Sequence, residues 1–127
     1  MPKKVIKTDQ APAAIGPYEQ GIEIGGFLFT SGQIALDPAT GNFLEGNIEE
    51  ETELVIKNIE AILTAAGLTL KDVVKTTVYL TDLGHFGRVN QVYENFFGES
   101  KPARACVQVA ALPKGAQIEI DAIAVSR

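Results

Sequence analysis

Alternation over Gln117–Val125 (QIEIDAIAV) constrains this chain more than any other segment. Successive side chains of a strand face opposite ways. Ile118, Ile120, Ala122 and Ala124 therefore take one face, and Glu119 and Asp121 the other. Ala103–Val109 (ARACVQV) divides similarly, with Arg104, Cys106 and Gln108 on one side and Ala103, Ala105, Val107 and Val109 on the other. The short, turn-like Ala110–Ala116 between them predicts a hairpin with its apolar faces together. Arg104 and Glu119 would then share its polar surface. A guanidinium fork recognises a carboxylate, and a neighbouring Glu can move a proton or position water. That is a minimal kit for hydrolysing a small acid. A cross-strand ion pair that only decorates the sheet fits the same two residues.

Upstream, Lys3–Thr8 reads as a short strand. Gln20–Ile24 and Phe27–Gln33 flank Gly25–Gly26, a two-residue hairpin signal because both glycines tolerate positive φ. Leu36–Gly46 is turn-rich. Asn47 opens a helix, with Glu50 at the reciprocal capping position and Glu49–Glu51 at the positive end of the dipole. Val55, Ile59, Ile62, Leu63 and Ala66 follow helical spacing, and Gly67 is a stop. Val73–Leu80 reads as a strand with Val74, Val78 and Leu80 on one face and Lys75, Thr77 and Tyr79 on the other. A second helix covers about residues 85–97, with Phe86, Val89, Tyr93 and Phe96 or Phe97 inward. Gly84 and Gly87 weaken its start.

This order predicts an α+β fold, two helices on one face of a mixed sheet. The other face would carry Lys75, Thr77, Tyr79, Arg104, Cys106, Gln108, Glu119, Asp121, Ile123 and Val125. That mixture is too apolar for open water and too polar for a core, so a subunit interface with a site built into it is expected.

The chain has 127 residues, the size of one compact domain (1–127), and no internal repeat or linker. A hydrophobic share of 46% argues against disorder and suggests that part of it is hidden between subunits. Eleven basic and sixteen acidic residues give a net charge of −5, and no basic cluster exceeds Lys3–Lys4. A nucleic-acid partner is therefore not expected. No stretch approaches a membrane span and MPKKVIKTDQ lacks a leader's apolar run, so a cytoplasmic protein with no membrane partner is the plain expectation. The lone Cys106 excludes an intrachain disulfide.

There is no Walker-type loop, and one histidine, His85, cannot build a histidine-rich metal site. No metal or organic cofactor is expected. His85, near Asp82 at the start of a helix, reads as a capping or surface residue rather than a triad member. Cys106 has no histidine base beside it and reads as a small buried residue.

Five segments carry a joint signature: Ile15–Gln20 (IGPYEQ), Thr30–Ile34 (TSGQI), Arg88–Phe97 (RVNQVYENFF), Pro102–Cys106 (PARAC) and Gln117–Val125. Together, and in order, they resemble the RidA/YjgF family of reactive-intermediate deaminases, from Ala11 to Val125. The resemblance implies a chorismate-mutase-like α+β subunit, a homotrimer and sites in clefts between neighbours. The family's arginine falls on Arg104, to grip a substrate carboxylate, and its acid on Glu119, to activate water. Tyr18, after Pro17, would shape the pocket from an adjacent chain. Ser31 and Gly32 match the loop lining the site, Asn90 a polar wall, and Cys106 a position whose backbone helps hold the ligand acid. Each has a plainer alternative: Tyr18 as an interface aromatic, Ser31 and Gly32 as a strand bulge, Asn90 as a surface amide. Glu19 departs from the family's small or neutral residues there, and pointing inward it would disfavour anionic substrate side chains.

The implied activity is hydrolytic deamination of 2-iminobutanoate and 2-iminopropanoate, derived from 2-aminocrotonate and 2-aminoacrylate, to 2-oxo acids and ammonia. A small-carboxylate-binding regulatory or protein-interaction module of the same fold, without turnover, is the alternative. RNA cleavage, attached to some relatives, is disfavoured by the acidic charge.

Overall fold

The computed structural model describes residues 2–126. Six strands and two helices succeed one another as β1 (Lys4–Ile6), β2 (Gly21–Ile24), β3 (Phe27–Thr30), α1 (Ile48–Ala65), β4 (Val73–Leu80), α2 (Phe86–Phe97), β5 (Ala103–Gln108) and β6 (Ile118–Val125). The strands form one sheet in the order β1-β2-β3-β6-β4-β5. All neighbours are antiparallel except β4 and β5.

Local chemistry sets the predicted elements in place. Gly25 and Gly26 turn the β2–β3 hairpin with φ of 59° and 84°. Asn47 Oδ1 accepts from the Glu50 amide at 2.8 Å while Glu50 Oε1 accepts from the Asn47 amide at 3.1 Å, the reciprocal cap of α1. Val55, Ile59, Ile62 and Leu63 bury that helix on the sheet, where Leu28, Leu80, Ile118 and Ile120 meet them with no exposure. Full burial of such side chains contributes about 1.5–3 kcal/mol each. α2 seats Val89, Tyr93 and Phe97, whereas Phe86 stays partly exposed.

The predicted β5–β6 hairpin does not form. β6 lies between β3 and β4, because its fully covered row Ile118, Ile120, Ala122 and Ala124 belongs at the centre of the sheet. β5, largely exposed, takes the edge and pairs in parallel with β4, with α2 as the crossover that a parallel pair requires. Position 74 also departs from the predicted facing. A register shift between Val73 and Lys75 turns Val74 outward, and Thr76 joins Val78 and Leu80 under the helices. The parallel register sets Arg104 beside Thr76, Cys106 beside Val78 and Gln108 beside Leu80. These three therefore leave the open face to which they were assigned. That face carries Lys75, Thr77, Tyr79, Glu119, Asp121, Ile123 and Val125, with Phe27 and Phe29 from β3 and Val107 from β5.

Candidate active site

Two polar clusters form, one on each side of the sheet. On the helix side, Arg104 Nη1 donates to Asn90 Oδ1 at 2.8 Å, and Cζ stands 4.7 Å from the Tyr93 ring centroid and 5.2 Å from that of Phe86. A cation over aromatic faces is attracted by their quadrupoles. Tyr93 is itself fixed, its hydroxyl sharing a buried 2.7 Å hydrogen bond with Thr76 Oγ1. Burial raises the phenol's pKa, outweighing the lowering by that bond and by Arg104, so the phenol stays neutral. Asn90 engages one of the fork's five N–H donors. Arg104 and Asn90 line an open cleft of about 440 Å³ with Tyr93, Lys101 and Pro102. Cys106 is half-buried on the same side, and burial lifts its pKa against the lowering influence of Arg104. It is a thiol, not a thiolate.

On the open face, Glu119 sits opposite Tyr79 in the β4–β6 register. Its carboxylate lies against Gly32, so that a Cβ at position 32 would come within 2.8 Å of Glu119 Cδ. Burial raises the Glu119 pKa, and the negative charge of Asp121 raises it further. A tighter cleft of about 260 Å³ joins Glu119 and Gly32 to Tyr18, Ile15, Ile34 and Lys114. Ser31 is turned from this cleft: its hydroxyl donates to the Glu19 carbonyl and its amide to Gln20. Glu19 is exposed and lines a neighbouring cavity with Tyr18, not the Glu119 cleft. Among the described residues, no group of three His, Cys, Asp or Glu side chains converges as a metal ion would require.

Three buried polar residues that were not among the expected site residues brace the walls. Gln20 Nε2 donates to the carbonyls of Pro12 at 2.8 Å and Ala11 at 3.2 Å, pinning the N-terminal segment over the cleft. Asn58 donates to Ile34 and Leu36 from within α1. Glu51 accepts from both the amide and the side chain of Gln117, two residues before Glu119. A signal for two of them was present. Glu51 and Asn58 fall on the apolar stripe of α1, four residues before Val55 and four before Ile62.

Arg104 and Glu119 thus lie on opposite faces, where the predicted hairpin had them share one. Asn90 and Cys106 go with Arg104; Tyr18 and Gly32 go with Glu119.

The fold and its clusters define a small α+β protein, a mixed sheet backed on one side by two helices. The family described as Endoribonuclease L-PSP matches residues 8–126. A RutC family protein of Pyrococcus abyssi is 56% identical, covering 98% of each chain. The mouse protein named 2-iminobutanoate/2-iminopropanoate deaminase is 50% identical over 97% of this chain and 91% of its own. The crystal structure of E. coli TdcF with bound serine superimposes with a TM-score of 0.93 at 47% identity, covering 98% of this chain and 99% of that one. The chain belongs to this family, that of the RidA/YjgF proteins.

Proposed function

We propose that this protein hydrolyses short 2-imino acids to 2-oxo acids and ammonia, at a site closed between neighbouring copies in a homotrimer. The observation that carries this reading is the division of labour across the sheet. One face holds a preset guanidinium and the other a carboxylate of raised pKa in a close cleft. Neither set is complete alone. A cyclic assembly brings one chain's Arg104 to its neighbour's Glu119. The large apolar share of the open face supports such packing. The names of the relatives support the chemistry: one is called a deaminase of these imino acids, and TdcF holds serine, a three-carbon amino acid.

Arg104 neutralises and orients the substrate carboxylate, so that water need only be placed against the carbon of the protonated C=N group. Glu119 removes one proton as the water oxygen bonds to that carbon. It returns the proton to nitrogen; then the C–N bond breaks and ammonia leaves as the C=O bond forms, the hydroxyl proton passing to the Glu119 carboxylate and on to water. A carboxylate of raised pKa is a better base than an ordinary one, and such acid–base assistance contributes roughly 10²- to 10⁴-fold.

A threonine dehydratase generating 2-iminobutanoate, with semicarbazide competing for it, provides the assay. Suppression of semicarbazone by the native protein, and its loss in a still-assembled Arg104→Ala, is the expected result. A carboxylate-binding module would need Arg104 but not Glu119, so turnover that survives Glu119→Gln would overturn the hydrolytic role. Co-refolding Arg104→Ala with Glu119→Gln tests the shared site. About a quarter of the interfaces in random cyclic mixtures pair an intact Arg104 with an intact Glu119, and activity should return to that extent. A mixture as dead as its parents would overturn the sharing of Arg104 and Glu119 between chains.

A further inference from the structure

Asp121 has no part in the scheme above, yet it is placed to govern it. It lies two residues beyond Glu119 on β6, facing the same side, roughly 7 Å along the strand. Its Oδ2 accepts a 3.1 Å hydrogen bond from the Tyr79 hydroxyl. Tyr79 is the cross-strand partner of Glu119, so its side chain starts opposite one carboxylate and ends on the other. Resting on the proposed hydrolytic reading, we propose that Asp121 is a positioning residue for Glu119. Anchored by Tyr79, it is a fixed negative charge that keeps Glu119 basic enough to take a proton from water.

Two like charges on one strand face disfavour joint ionisation, more so where water is partly excluded. Burial is the larger cause of the raised Glu119 pKa, and Asp121 the second. The anchor is stable because the Tyr79 pKa is also raised, first by burial and then by Asp121, so the phenol remains a donor throughout the neutral range. Other ionisable groups face Glu119 from each side. Tyr18 of the N-terminal segment and Lys114 of the loop before β6 line its cleft, and Lys75 of β4 lies further along the open face. In the proposed assembly a neighbour's Arg104 adds positive charge. Asp121 is the acidic member of this set on Glu119's own strand, and it opposes those cations.

Glu119 must be ionised to act as base, so kcat/KM rises with pH through its pKa. Asp121→Asn removes the opposing charge, lowers that pKa and moves the acidic limb of the profile to lower pH. The plateau kcat should fall at the same time, because a less basic carboxylate is a weaker proton acceptor. Loss of packing alone would lower activity without moving the limb. Asp121→Glu keeps the charge and should keep the limb near its native position, and Tyr79→Phe should move it in the Asn direction.

The Glu119 side-chain carboxyl, followed by ¹³C NMR during a pH titration of assembled native protein and Asp121→Asn, measures the coupling without turnover. A downward shift in both the NMR midpoint and the kinetic limb is expected. An unmoved midpoint overturns the role of Asp121, whatever happens to activity. A moved midpoint with an unmoved limb shows that Glu119 is not the base, which is failure of the hydrolytic reading instead.

Discussion

At the scale of single residues, the contact between Gly32 and Glu119 is the sharpest determinant of the site. Gly32→Ala would put a methyl group into the carboxylate's place, forcing Glu119 out of line. Under the proposed mechanism, deaminase turnover should fall by about 10²-fold through misplacement of Glu119, with no change in the size of the protein by light scattering. Glu119 also carries a cost in stability that can be read separately. Its folded-state pKa is raised, so its favourable contribution is full below the unfolded pKa and is lost as pH rises through the folded one. Glu119→Gln should therefore melt higher than the native protein at pH 8, with the gap closing in acid, by calorimetry at several pH values. A variant that is inactive yet no more stable at pH 8 would contradict this. Arg104 and Glu119 stood out as candidates because alternation put each on the polar side of its strand and the family resemblance falls on both. Their placement on opposite faces was not legible. Alternation tells which residues of one strand share a side, but the relation between two strands depends on pairing and register.

Among the elements, α1 was the most legible, because capping and periodicity are both local. Asn47→Ala removes a reciprocal cap and should cost about 1 kcal/mol, lowering Tm by roughly 3–6 °C in thermal unfolding. β5 and β6 were recognised as strands but wrongly joined. The clue lay in the succession β4–α2–β5, a strand, a helix and a strand, which favours a parallel crossover over a hairpin with the next segment. Burial then decides the order, since a strand with one face wholly apolar gains most at the centre. The turn at Val74 was hidden for another reason. A register shift adds one residue to one strand, and a valine fits either side of it. Thr76 escaped the predicted core because its hydroxyl becomes acceptable there only when Tyr93, from another element, provides a partner.

For the whole molecule, the open face is the feature to be explained. Phe27, Phe29 and Val107 remain 46%, 43% and 43% exposed in the single chain, beside Ile123 and Val125. Phe29→Asp should leave the two-helix core intact and break the proposed assembly, seen as a monomer by light scattering with native far-UV circular dichroism. Retention of the native oligomer would show that subunits meet elsewhere. In sequence, that face was anticipated from the shortage of helices, but Phe27 and Phe29 were missed because β3 was read only as half of a hairpin.

The sheet that separates Arg104 from Glu119 also decouples being folded from being active. Under the proposed assembly, each chain lends one wall to the site on its left and another to the site on its right. Dilution below the dissociation constant of that assembly would silence the chemistry without unfolding any chain, and specific activity would depend steeply on protein concentration. A cell with a small amount of such a protein would have almost none of its activity, and the threshold for function would be set by the number of copies.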